Sequence, residues 1–211
     1  VPLKFNDLVV TSMLRGKKIM HLFDDPSFDY LPGETVVIPS NVEMKIDFPD
    51  ASKNNPTQCL ALAIDQSKIK ETLHFLNERY PKEGSNQFWQ LNYQNYFFYN
   101  NIELATTSNK LVKECMSTAI TKDVLADLTL QELLIRIIQT QTVKSFEEGK
   151  IQDSNNSIAQ AVEYIRLNLN GNMSLKKLSE QSCMSSTSFY RLFKRELGMS
   201  PIEFVLNEKI K

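Results

Sequence analysis

Near the end of the chain, the stretch SSTSFYRLFKRELGMSP (185–201) sets two stripes at helical spacing. Thr187, Tyr190, Arg191 and Lys194 make a polar stripe, while Phe189, Leu192, Phe193 and Leu197 make an apolar one. The chemistry open to the polar set is non-covalent recognition. A guanidinium such as that of Arg191 can donate a bidentate pair to a guanine edge. Ser186, Thr187 and Tyr190 carry hydroxyls for base edges or carbon for a thymine methyl, whereas Ser185, Lys194 and Arg195 suit phosphates. The plain alternative is a solvated face, which every surface helix carries.

A reading face needs elements that hold it. Ser174 can cap a short helix bearing Leu175 and Leu178, and Ser182-Cys183-Met184 is a tight connection to Ser185, a second cap. Gly198 ends the helix that carries both stripes, and Ser200, Pro201 and Glu203 open another with a capping-box pattern. Upstream, Ser157 and Gln160 begin a helix whose apolar face is Ile158, Ala161, Val162, Ile165 and Leu169, stopping at Gly171. A support helix, a three-residue connection and a second helix make the helix-turn-helix plan, in which the second helix enters the major groove. Charge agrees weakly: residues 155–211 hold eight Lys/Arg against five Asp/Glu, on a chain of net charge −1.

The first 64 residues read differently. LVVTSML, KKIMHLF, TVVIPS, VEMKIDF and CLALAI are strand-like runs between turn formers, which predicts a small sandwich or barrel. Asp65 can cap a helix to about Arg79, and helical patterns return near 107–119 and 123–142. The last of these is apolar on more than one face. Leu128, Leu134, Ile135 and Ile138 therefore serve either packing within the chain or the seam of a dimer. The polar run 143–156 reads as a linker. The expected architecture is α+β: a regulatory domain over 1–142 (barrel 1–64, helices 65–142), the linker, and a helical domain over 157–211.

Other chemistries lack their residues. Two histidines, His21 and His74, do not make a metal site, no nucleophile elbow or phosphate-cradling glycine loop is present, and six glycines leave little for backbone-held phosphate. No metal, no cofactor and no enzyme activity is expected. Three widely spaced cysteines fit a reducing cytoplasm, and neither a membrane-length apolar run nor a signal-peptide pattern occurs. The barrel interior could hold a small apolar effector lined by Met13, Met20, His21, Phe23, Met44, Phe48 and Trp89, or those residues simply fill the core.

The segment SLKKLSEQSCMSSTSFYRLFKRELGMSPIEFV closely resembles the first helix-turn-helix of AraC/XylS-type transcription regulators, through Leu175, Leu178, Ser185, Arg191, Phe193, Lys194, Gly198, Ser200 and Pro201. It departs at Ser179, where Ala is usual, at Cys183, where Gly is frequent, and at Lys209, where Arg is common. YLPGETVVIPSNVEMKIDFPDA, NNPTQCLALAID and LADLTLQELLIRIIQ are similar to the regulatory half of such proteins, a cupin-like barrel with helices. The resemblance implies a sequence-specific regulator that reads promoter DNA through Ser186, Thr187, Tyr190 and Arg191. It also implies effector binding or homodimerisation through the barrel half, with RNA polymerase as a further partner. A constitutive, ligand-free dimerising regulator is the alternative, and a cupin-type enzyme a more distant one. The family pattern continues into a second helix-turn-helix, so a chain ending at VLNEKIK is expected to bind DNA weakly and with reduced specificity.

Overall fold

Short β-branched and apolar runs broken by turn formers give strands where the pattern places them. The computed structural model describes residues 1–82, 88–94, 96–98, 102–147, 157–171, 173–182 and 184–210. In chain order come β1 (Pro2–Lys4), β2 (Leu8–Arg15), β3 (Lys18–Leu22), β4 (Phe28–Tyr30), β5 (Thr35–Ile38), β6 (Glu43–Asp47) and β7 (Gln58–Ile64). They are followed by α1 (Gln66–Arg79), β8 (Phe97–Phe98), α2 (Ile102–Cys115) and α3 (Lys122–Glu147). Last come α4 (Ser157–Leu167), α5 (Leu175–Gln181), α6 (Ser186–Leu197) and α7 (Pro201–Ile210). Two compact units result, Val1–Thr72 with Tyr96–Ile137, and Leu73–Asn95 with Ile138–Lys211, so the division falls inside α1 and α3.

The first unit holds two antiparallel four-stranded sheets, ordered β1-β6-β3-β4 and β7-β2-β5-β8. Alternation decides which side chains go in. Along β6, Met44 and Ile46 are buried between exposed Glu43, Lys45 and Asp47; along β3, Lys18, Met20 and Leu22 are buried while Ile19 and His21 are less so. Both sheets contribute to one core: Val9, Met13, Val36, Ile38 and Phe97 from one, and Met20, Leu22, Tyr30, Met44 and Ile46 from the other. The tight β2–β3 turn uses Gly16 at φ +81°, where a Cβ would meet Thr57 Oγ1 at 2.8 Å. β2 is buried from Leu8 to Met13 on both faces, so its sheet is covered on the side away from the core as well.

Asp65 does cap α1, its carboxylate accepting the Ser67 N–H at 2.7 Å. Ion pairs join the helices of this unit on their exposed sides: Lys68 with Asp127, Lys110 with Glu132, and Arg136 with Glu103. The helix expected at 107–119 starts earlier, at Ile102, and α3 runs past 142 to Glu147. Val143 is buried in the core of the second unit, so the first part of the expected linker is helical; residues 148–156 lie outside the described residues. That second core gathers Ile158, Ala161, Val162 and Ile165 of α4, Leu178 of α5, Phe189, Phe193 and Leu197 of α6, and Phe204 and Val205 of α7.

Candidate nucleic-acid interface

The helix-turn-helix is built by caps at each joint. Ser174 takes the Lys177 N–H and starts α5; Ser185 takes the Ser188 N–H and starts α6. Between them the chain tightens: the Ser182 hydroxyl donates to Leu178 O at 3.0 Å, and Met184 N donates to Ser179 O at 2.9 Å. Cys183 lies outside the described residues. Gly198, at φ +74°, closes α6 with its N–H on Lys194 O. Ser200 and Glu203 then form the expected capping box: Ser200 N donates to Glu203 Oε2 at 2.6 Å, and Glu203 N to Ser200 Oγ at 3.2 Å. The Ser200 backbone N–H first, and then its hydroxyl, hold the Glu203 carboxyl below its ordinary value. At the start of α4, the Ser157 hydroxyl faces the Met184 sulfur at 3.6 Å.

Phe189, Phe193 and Leu197 are completely buried, and the Phe193 ring packs on Phe189 at 5.4 Å and on Phe204 at 5.7 Å. This anchors α6 by one face and turns out the other. Thr187, Ser188, Tyr190, Arg191 and Lys194 are exposed, Tyr190 by 38%. No hydrogen bond or ion pair takes the side chains of Thr187, Tyr190 or Arg191 among the described residues. Lys176 and Lys177 of α5 are exposed too. Two expected base or phosphate contacts sit differently. Ser186 is half-buried, its hydroxyl 2.9 Å from that of Ser179, so it belongs to the α5–α6 joint and not to the exposed stripe. The Ser185 hydroxyl serves its own helix, donating to Ser188 Oγ at 2.9 Å. Arg195 is half-buried beside the buried Glu196.

The far end of α6 meets residues that sequence reasoning had not singled out. Gln139, on α3, donates from Nε2 to Gly198 O at 3.0 Å. A Cβ on Gly198 would lie 2.4 Å from that nitrogen. In the same unit Asn77 grips Trp89 by both backbone groups, Gln141 grips Asn92 likewise, and the Trp89 indole N–H donates to Tyr80 O at 2.6 Å. The Lys82 ammonium lies 4.4 Å from the centre of the Trp89 ring. Burial pushes Lys82 down while the Glu196 charge pulls it up; burial pushes Glu196 up while Lys82, then Arg195, pull it down. The only sequence signal for this cluster is the aperiodic, amide-rich run around Trp89.

Trp89 therefore belongs to the compact unit of α6 and not to the unit of the two sheets. Three more of the expected effector residues are also turned away from the interior. His21 points outward on β3, its ring nitrogen 3.0 Å from Asp47 Oδ2, a bond that holds the Asp47 carboxyl below its ordinary value. Phe23 is 46% exposed and stacks on Tyr96 at 5.3 Å, and Phe48, past the end of β6, is 41% exposed. Period-two alternation accounts for His21, and loop position for the two phenylalanines. Met13, Met20 and Met44 do meet, inside the shared core. Of the expected seam, Leu134 and Ile138 are buried at 1% exposure within their own chain, Ile135 is half-buried, and Leu128 is exposed with Val124 and Leu125.

Two family models match this chain. AraC-type transcriptional regulator N-terminus covers residues 1–145, and bacterial regulatory helix-turn-helix proteins, AraC family, covers 165–206. The chain belongs to the AraC family of transcriptional regulators. The XylDLEGF operon transcriptional activator of Pseudomonas putida is 37% identical over 57 residues, 27% of this chain and 18% of that protein. The XylDLEGF operon transcriptional activator 2 of the same organism is 26% identical over 96 residues, 46% of this chain and 58% of that protein, so each match spans well under two thirds of the relative. Solved structures that overlay on it include apo ToxT K231A from Vibrio cholerae (9% identity, 97% of this chain and 90% of that one, TM-score 0.43). Another is the AraC-like transcriptional activator CuxR (14% identity, 98% and 66%, TM-score 0.41). At such scores neither overlay bears on the fold or on a ligand. Among the described residues no group of His, Cys, Asp and Glu gathers to hold a metal, and no helix is long and apolar enough to cross a membrane.

Proposed function

We propose that this AraC-family chain is a cytoplasmic transcription regulator that lays α6 in the major groove of promoter DNA. The observation that carries the reading is the division of α6 into a fully buried aromatic face and an exposed face bearing Thr187, Tyr190, Arg191 and Lys194. Arg191 and Tyr190 read base edges, with Thr187 beside them; Lys194 and the α5 lysines meet phosphates. The regulatory half binds an effector within the barrel and shifts the population of DNA-competent states. Two copies pair through the exposed apolar start of α3, Val124, Leu125 and Leu128, so that two readers engage two half-sites. On promoters the regulator recruits RNA polymerase, in keeping with relatives named as activators.

The test is selection of binding sites from a random DNA pool. The wild type returns a consensus; a Thr187→Ala, Tyr190→Ala, Arg191→Ala variant with an unchanged circular-dichroism spectrum returns none. Recovery of the same consensus by the folded triple variant contradicts the reading.

A second reading of the barrel rests on its filling. Met13, Met20 and Met44 are at most 3% exposed and pack with Tyr30 and Phe97 in one core, as a ligand-free dimerising regulator would have it. A small-molecule library screened by thermal shift, followed by DNA binding of each hit, separates the two. A ligand that raises Tm and changes DNA affinity supports the sensor; ligands that stabilise the chain and leave DNA binding untouched support the constitutive form.

A further inference from the structure

Lys18, the first residue of β3, is buried at 6% exposure. A lysine so deep ordinarily pairs with a carboxylate. Here its ammonium has two neighbours of another kind: the Cys59 sulfur at 2.7 Å and the Phe48 ring, whose centre is 5.7 Å away. Cys59 lies on β7, in the opposite sheet, and is half-buried where Lys18 is buried. Tyr30, the register partner of Lys18, is spent on Thr11, whose carbonyl it reaches at 2.7 Å. The buried Glu34 carboxylate is likewise taken, by the Leu31 N–H at 2.6 Å. Cys115 has no such arrangement: it is exposed at the end of α2.

We infer that Lys18 and Cys59 form a peroxide-sensitive pair that closes into a reversible Lys–Cys cross-link between the two sheets of the barrel. In the first step the Cys59 sulfur attacks one oxygen of hydrogen peroxide. An S–O bond forms, the O–O bond breaks, and the departing hydroxide leaves as water with the thiol proton, giving a sulfenic acid. In the second, the Lys18 ammonium gives one proton to solvent water and the amine so formed attacks that sulfur. The N–S bond forms, the S–O bond breaks, and the hydroxide leaves as water with a proton from nitrogen. Sulfur is oxidised and peroxide reduced: thiol and amine each lose one hydrogen, one peroxide is consumed and two waters appear. Condensation of a sulfenic acid with a neighbouring nitrogen is a known fate of such species, and it requires the nitrogen already in place, as Lys18 is. Two thiols restore the pair: the first attacks the sulfur, releases the amine and leaves a mixed disulfide on Cys59, and the second displaces that disulfide to return the thiol. The link would join β3 to β7 and stiffen the barrel at the end where the two sheets meet the β2–β3 turn.

The experiment exposes the wild-type chain to hydrogen peroxide, quenches it, blocks remaining thiols, digests it and reads the peptides by mass spectrometry, with and without dithiothreitol. The expected result is a joined pair of peptides containing Lys18 and Cys59, lighter than their sum by two hydrogens and lost on reduction. Lys18→Met should abolish the joined species, and oxidation of Cys59 should then run on to sulfinic acid. The wild-type result stands alone if that variant fails to fold. A free Cys59 thiol, a Cys59 oxidised without linkage to Lys18, or linkage only at Cys115 overturns the inference.

Discussion

Single side chains on α6 have separable jobs. Phe193, fully buried between Phe189 and Phe204, holds α6 on its core, and Phe193→Ala should destabilise the second unit by about 3–5 kcal/mol in denaturant unfolding. Ser186 and Thr187 are adjacent and differ in role. Because the Ser186 hydroxyl is shared with Ser179, Ser186→Ala should change DNA affinity by less than about 0.5 kcal/mol in a titration. A loss at Ser186 equal to that at Arg191 would put the joint, not the stripe, on the bases. The stripe itself was legible, because a helix of this amphipathicity separates its faces by spacing alone. The misplacement of Ser186 was not, because whether a first-turn hydroxyl faces solvent or the neighbouring helix depends on the crossing of α5 and α6, which no single helix encodes. The four residues turned away from the barrel interior or outside it teach a similar lesson. His21 follows from counting alternate positions from Met20, whereas Trp89 is placed by hydrogen bonds to Asn77 and Tyr80 that leave no periodic trace.

At the scale of elements, the helix boundaries of the reading module follow from local chemistry: Ser174, Ser185, Gly198, Ser200 and Glu203 all cap where their types predict. Two predictions belong here. Gly198→Ala places a side chain at a left-handed position and against Gln139, and should cost at least about 1–2 kcal/mol in thermal or denaturant unfolding. The capping box gives a pH signature. The folded Glu203 carboxyl lies below its ordinary value of 4.5, so its contribution is full above that value and lost as pH falls through the lower, folded one. The stability gap between wild type and Glu203→Gln should thus be constant near neutrality and close on acidification; a gap that widens in acid would contradict the cap. Short strands were the elements hardest to read. β1, β4 and β8 have two or three residues each and exist because a longer partner strand offers them hydrogen bonds, β6, β3 and β5 respectively.

For the molecule as a whole, part of the sequence that matches the N-terminal family model packs in the same compact unit as α6. Residues 73–95 and the end of α3 lie there, with Gln139 on the cap of α6 and Lys82 and Glu196 acting on each other's charge. A linear split of the chain into regulator and reader misses this, since distant segments are joined by contacts and not by order. The remaining exposed apolar surface of α3 yields the oligomer prediction: Leu128→Glu should convert a dimer to a monomer in sedimentation while leaving the barrel folded, and an unchanged sedimentation coefficient would place the seam elsewhere. The claim that α6 reads DNA is tested most directly by titrating Arg191→Ala and Lys194→Ala against the selected site and a single-base variant of it, at several salt concentrations. Arg191→Ala should lose about 1–3 kcal/mol of discrimination at one base pair. Lys194→Ala should weaken both sites alike and reduce the salt slope by about one. If both variants discriminate and respond to salt as the wild type does, α6 is not the reader.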